Sequence, residues 1–174
     1  MRTYLLILSA NVLLVLGGCK TAGPQYMPTS TIRDLMDSII DPSADFLWNS
    51  VSTIVTAKGV ESKFPRTDEE WKEVRNRAIA LVESTNLLLV PNRHVAKPGE
   101  TAANPDVERE PEQIEALIRQ DESEFEDHVI GLRDAVMKVL AAIEARDVRA
   151  LEDSGEELDR ACEACHSIYW YREE

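Results

Sequence analysis

Scarcity is the first thing this chain offers. It has three cysteines and three histidines in 174 residues. A structural zinc centre needs two ligand pairs, and outside one C-terminal set only Cys19, His94 and His128 remain, in no paired pattern. Basic residues number 19 against 32 acidic ones, a formal net charge of -13, which argues against nucleic acid as a partner. The longest apolar stretch, Tyr4 to Leu16, is too short for a confident membrane span. There is no internal repeat and no convincing strand pattern, and low complexity is confined to one acidic connection.

What is present is concentrated near the C-terminus, in Cys162-Glu163-Ala164-Cys165-His166. C-x-x-C-H is the attachment signature of covalent c-type haem. On one helical turn, two thiols three residues apart can each add to a porphyrin vinyl group, which holds the adjacent imidazole beneath the iron as an axial ligand. A thioredoxin-like pair would instead sit where a strand enters a helix. Here the motif lies late in an amphipathic helical stretch.

The other end of the chain supplies context. Arg2, the apolar run and the small residues after it have the layout of an export signal. Leu16-Gly17-Gly18-Cys19 resembles the lipobox of bacterial lipoproteins, so residues 1-18 read as a lipoprotein signal peptide and Cys19 as the lipidated first residue of the mature chain. Acyl chains there would hold the protein on a membrane without a spanning helix. The odd cysteine count then resolves into one thiol for lipid and two for haem, with none for disulfides. Covalent haem attachment follows export in bacteria, so both assignments imply the periplasmic side of a membrane, and Lys20 leans the choice toward the outer one.

Residues 19-28 hold Gly23, Pro24 and Pro28 with little apolar periodicity and read as a tether. From residue 29 to 174 come four amphipathic blocks. The first places Ile32, Leu35, Met36, Ile39, Ile40, Leu47, Val51 and Ile54 on one face after a cap at Thr29 or Ser30, with Pro42 kinking or interrupting it near Asp41. Thr67 and Glu70 form a capping box before the second, whose stripe runs Trp71, Val74, Ala78, Leu81, Val82, Leu88 and Leu89 and stops at Pro91. Pro91 to Pro111 reads as a long connection. The third block starts at Pro111 and runs through Ile114, Leu117, Phe125, Val129, Leu132, Val136 and Val139 to Ile143. Asp147 caps the fourth, where Leu151, Leu158, Cys162, Cys165 and Tyr169 share a stripe, so the thiols face the interior.

The pattern predicts an all-α fold, an antiparallel four-helix bundle with covalently bound haem near its C-terminal helix. It resembles the class II cytochromes c, the group that contains cytochrome c-prime. The resemblance rests on Cys162, Cys165 and His166, on helix order, and on the aromatic Tyr169 three places after the histidine. It implies one covalent haem c with His166 proximal and the opposite iron face meeting the first helix. Low-spin relatives place a methionine there, and high-spin relatives leave the position open. Met36 is the candidate, with Arg33 about one turn before it. Ordinary core packing is the competing role for Met36. Met137 falls off its helix's main stripe, Met27 lies in the tether, His128 sits at a stripe edge, and His94 reads as exposed. Trp48, Trp71 and Trp170 read as core, and Arg93 and Arg172 as solvated arginines.

Two functions follow from the sixth iron position. With Met36 bound, a His/Met iron serves a small periplasmic electron carrier. With Met36 merely nearby, a five-coordinate iron would bind or sense a small gas such as NO or CO. No acid/base group can be named around Met36, so no enzyme activity is expected. The acidic surface suits a basic redox partner, and the resemblance makes a homodimer conceivable.

Overall fold

The computed structural model describes residues 26–172. Cys19 and the signal segment lie outside the described residues. The architecture is mostly helical, with one small two-stranded sheet. Among the described residues, no helix is long and apolar enough to cross a membrane.

The first helical stretch is continuous but changes pitch. Helix α1 (Ile32–Leu35) starts at Thr31, whose side chain accepts from the Asp34 N–H while Asp34 reaches back to the Thr31 N–H. A π-helical segment (Met36–Ile40) follows, and then α2 (Asp41–Ser50). Pro42 explains the change of pitch. It has no N–H for the Ser38 carbonyl, and its ring would crowd that carbonyl in a regular α-turn. The chain widens instead, and the Asp41 N–H bonds to the Met36 carbonyl. Pro42 therefore dilates the helix rather than breaking it.

The expected continuation of this block through Ile54 does not occur. Val51 turns extended, and β1 (Ser52–Thr56) pairs antiparallel with β2 (Gly59–Lys63). The β-branched run Thr53-Ile54-Val55-Thr56 favours a pleated strand over a helix, and Gly59, at φ 132°, takes a backbone conformation that other residues rarely adopt. Helix α3 (Asp68–Leu88) begins at the expected capping box, with the Glu70 carboxylate accepting from the Arg66 and Thr67 N–H groups at 2.7 and 2.9 Å. It ends before Pro91.

The expected single third helix is two. α4 (Pro111–Gln120) stops at Asp121, whose non-helical backbone (φ -144°, ψ 82°) and side-chain acceptor for the Glu124 N–H start α5 (Glu122–Ala145) afresh. Arg146 takes a left-handed conformation, and Asp147 caps α6 (Val148–Tyr169).

Four long segments form a ring in which every neighbour is antiparallel. Arg77 lies over Phe46, and Ile32 shares a cavity wall with Leu88, which pairs α1–α2 with α3. Arg146 and Glu144, near the end of α5, bond Asp68 and Arg75 near the start of α3. The tight Arg146–Asp147 turn folds α6 back along α5. Trp48 donates to the Gly155 carbonyl at 3.0 Å, which closes the ring between α2 and α6. The core runs through Leu35, Leu47, Leu81, Val136, Val139, Leu151 and Leu158, all 3 % exposed or less. A second cluster, of Val95, Ile114 and Tyr169, sits under the long connection.

Candidate haem site

Helix α6 carries the motif on its buried stripe. Leu151, Leu158 and Tyr169 are buried and Cys162 and Cys165 are half-buried, in steps of three, four and seven residues that keep one face. Cys162 packs against the main core and Cys165 against the second cluster. Both thiols are free.

Their environment opposes thiolate chemistry. Burial pushes the Cys162 thiol up to about 12, with Asp41 and Asp159 adding to the effect, and burial pushes Cys165 up to about 11. A redox dithiol needs the reverse, a depressed thiol at a helix N-terminus or beside a cation. This pair lies near the carbonyl end of a 22-residue helix, where the dipole also disfavours a negative sulfur.

The end of α6 is tied down. Arg109 donates from its backbone to the Trp170 carbonyl at 2.9 Å and from its guanidinium to the carbonyls of Ile168 and Tyr171. Arg172 donates its N–H to the Val107 carbonyl. These bonds satisfy terminal carbonyls of the helix and fix Trp170 and Tyr171 beside His166, each ring centroid 6.3 Å from the imidazole.

Met36, Cys162, Cys165 and His166 line one internal cleft. Its other walls are Ile40 and Asp41 from the first helix, Leu88 from α3, and Phe125, His128, Val129 and Leu132 from α5. Asp41 is exposed as a residue, but partial loss of hydration where it meets the cleft raises its carboxyl, and the His166 imidazole pulls it back. The sequence reading thus places its four haem-site residues together. Two other polar residues share the cleft. His128 lies on the cleft and meets Tyr169 edge-on at 6.2 Å; its spacing of three from Phe125 and four from Leu132 was the available signal. Asp41 enters through the widened turn, which periodicity does not report.

The remaining expectations separate cleanly. Met137 and Met27 are exposed, as is His94. Trp71 is core, and Trp48 and Trp170 are half-buried. Arg172 is exposed, as expected, and donates to the Pro105 carbonyl, whereas Arg93 is half-buried and donates to the Leu87 carbonyl at 2.8 Å and to Ser30.

The residues suit a covalent porphyrin in donor chemistry: two thiols at i and i+3, an imidazole at i+4 and a thioether on the facing helix. The cleft itself measures only about 30 Å³, but Leu88 and Phe125 also wall a neighbouring cavity of about 470 Å³. Leu88, a core residue, and Phe125, packed against the core, stand between the two spaces. Tyr169 Oη, buried and without a hydrogen-bond partner among the described residues, is a polar atom left over at the same end.

No family model matches the chain, and no curated protein matches it. Similar solved structures are forms of cytochrome c prime from Alcaligenes xylosoxidans. The nitric oxide complex of a leucine variant has a TM-score of 0.47 at 16% identity, covering 82% of this chain and 98% of that one. The reduced structure of an arginine variant has a TM-score of 0.48 with the same identity and coverage. A ferrous arginine variant with bound NO has a TM-score of 0.45, again at 16% identity over 82% and 98%.

Proposed function

We propose that the chain is a c-type cytochrome with a single haem c covalently attached through Cys162 and Cys165, and that it transfers single electrons. The observation that carries this reading is the shared cleft: the thiols and His166 from α6 and Met36 from the neighbouring first helix come to one space. When bound, the haem supplies a one-electron iron couple whose potential the axial ligands set. His166, anchored by α6 and flanked by Trp170 and Tyr171, provides the imidazole. Met36, held at the start of the widened turn, offers a thioether that favours the ferrous form. Ile40, Leu88, Val129 and Leu132 keep water off the site.

A second reading is favoured by that same apolar wall. If Met36 only packs, the space beside His166 is walled mainly by Ile40, Leu88, Val129 and Leu132, with Asp41 and His128 also on it, and suits a small neutral diatomic such as NO or CO. Optical spectra of wild type and Met36→Ala, ferric and ferrous and with or without carbon monoxide, separate the two. Under electron transfer, wild type is low-spin and resists carbon monoxide, while the variant becomes high-spin and binds it. Identical spectra would remove Met36 as a ligand and leave the gas-binding reading.

The biological setting belongs to the same proposal: lipidation at Cys19, placement on the periplasmic side of a membrane with the outer one favoured, a basic redox protein as partner, and no catalytic turnover. The net charge of -13 supports a basic partner by electrostatic steering.

A further inference from the structure

Among the described residues, the hairpin makes few contacts with the bundle. Val55 and Val60 are directly opposed across its strands and are 80% and 66% exposed; Ile54, on the other face opposite Glu61, is 55% exposed. All five residues of β2 are exposed, and the main tie to the bundle is a bond of 3.5 Å from Thr53 to Glu152. A two-stranded hairpin is marginal by itself in water, and β-branched apolar residues on both of its faces lower its solubility further. A groove on a protein would cover one face. Only a surrounding apolar medium covers both.

Charge points the same way. In a chain with 32 acidic and 19 basic residues, the segment 52–66 has Lys58, Lys63 and Arg66 against a single acid, Glu61. Lys58 sits in the turn, and neither it nor Lys63 forms an ion pair among the described residues. Five-residue strands reach about 17 Å, roughly twice the Debye length at physiological salt. The tip is therefore screened from the acidic body behind it.

We propose that this hairpin inserts its tip into the surface of an anionic phospholipid bilayer, with Val55 and Val60 reaching the acyl boundary, Lys58 at the turn extending its ammonium back to lipid phosphates, and Ile54, Glu61 and Lys63 nearer the open end staying at headgroup level. The geometry gives the contact a consequence. The hairpin leaves the C-terminal end of α2, whereas Met36 and the cleft lie toward the start of the same continuous helix, which spans about 28 Å at 1.5 Å per residue. A seated hairpin holds the cleft away from the membrane, facing soluble partners. This inference does not depend on what the cleft binds.

The test uses the full chain with Ala57→Trp at the tip, compared with its parent in vesicles containing brominated lipid. The added tryptophan is expected to shift blue and be quenched in vesicles containing phosphatidylglycerol, and to stay unquenched in phosphatidylcholine alone. Lys58→Gln with Lys63→Gln should shift the balance between seated and free tip about thirtyfold toward free. If the protein floats with anionic vesicles while the tip stays unquenched, the N-terminus alone is the anchor and the proposal fails. It also fails if quenching is equal in uncharged vesicles, or if the blue shift grows with protein concentration without lipid, which would assign the hairpin to a second copy of the chain.

Discussion

Tyr169 offers a sharp test of the site because its ring and its hydroxyl make opposite contributions. The ring is 5% exposed and packs edge-on against Phe125, at a centroid distance of 5.6 Å, and against His128. Such packing stabilises the fold. The hydroxyl is buried with no partner among the described residues, and an unsatisfied buried polar group costs about 1–3 kcal/mol. Tyr169→Phe keeps the ring and removes the penalty. In haem-free chain, obtained in a Cys162→Ser, Cys165→Ser background, the substitution is expected to raise the unfolding free energy by about 1–3 kcal/mol, or roughly 3–9 °C in Tm for a chain of this size. Urea titration at neutral pH measures it, with an unchanged slope showing that both chains unfold from similar states. The pH dependence gives a second readout. Burial pushes the Tyr169 phenol from 10.0 up to about 12, so the folded state holds its proton where the unfolded chain has lost it. The protein's stability is unaffected by this ionisation below pH 10 and declines as pH rises from there through about 12, as the unfolded chain ionises first, and the phenylalanine variant lacks that decline. A Tyr169→Phe chain less stable than its parent would refute the reasoning, because the hydroxyl would then have a partner. A gain that vanishes in the haem-bearing protein would show that loading the site gives Oη an acceptor.

Three further outcomes follow from other parts of the structure. Backbone hydrogen bonds from Arg66 and Thr67 hold the Glu70 carboxyl below its ordinary value; the stability it adds is present above the unfolded value and lost as pH falls through the folded one, so acid titration of Glu70→Gln should lack that part, while Thr67→Ala costs about 1 kcal/mol by thermal melt. At Gly155 an added Cβ would meet Trp48 Cδ1 at 3.4 Å, an ordinary contact: Gly155→Ala should gain up to about 1 kcal/mol, whereas Gly155→Leu should lose about 1–3 kcal/mol and shift Trp48 fluorescence, and equal stability for the two variants would contradict the close approach. Cys19→Ser should move the protein from the membrane fraction to the soluble one, and no movement would remove the lipid anchor.

Much of this arrangement was legible because local signals and burial agree. Thr67 and Glu70 announce α3, Asp147 announces α6, and the stripe from Leu151 to Tyr169 carries both thiols inward. The failures share a physical cause, a side-chain pattern compatible with two backbones. Ile54 falls at helical spacing from Val51 yet also alternates with its neighbours, and the β-branched run decided for a strand. Gln120-Asp121-Glu122 holds no glycine or proline, so periodicity ran through it, although Asp121 is a good cap and starts a new helix. The widened turn was visible only as Pro42, whose effect on pitch depends on whether the carbonyl four residues back can find another donor.

That turn bears directly on the site. In an α-helix of 3.6 residues per turn, residues five apart lie about 140° apart around the axis, so Met36 and Asp41 could not both face one cleft. The bond from the Asp41 N–H to the Met36 carbonyl brings the two into line, and both line the cleft with Ile40. One dilated turn thus sets a thioether and a carboxylate opposite His166, with the Asp41 carboxyl responding to the imidazole's charge. Restoring regular pitch would rotate one of them away. The segment that looks like a defect around Pro42 is therefore what gives the first helix two chemically different groups at one place, and π-turns recur at functional sites for this kind of reason.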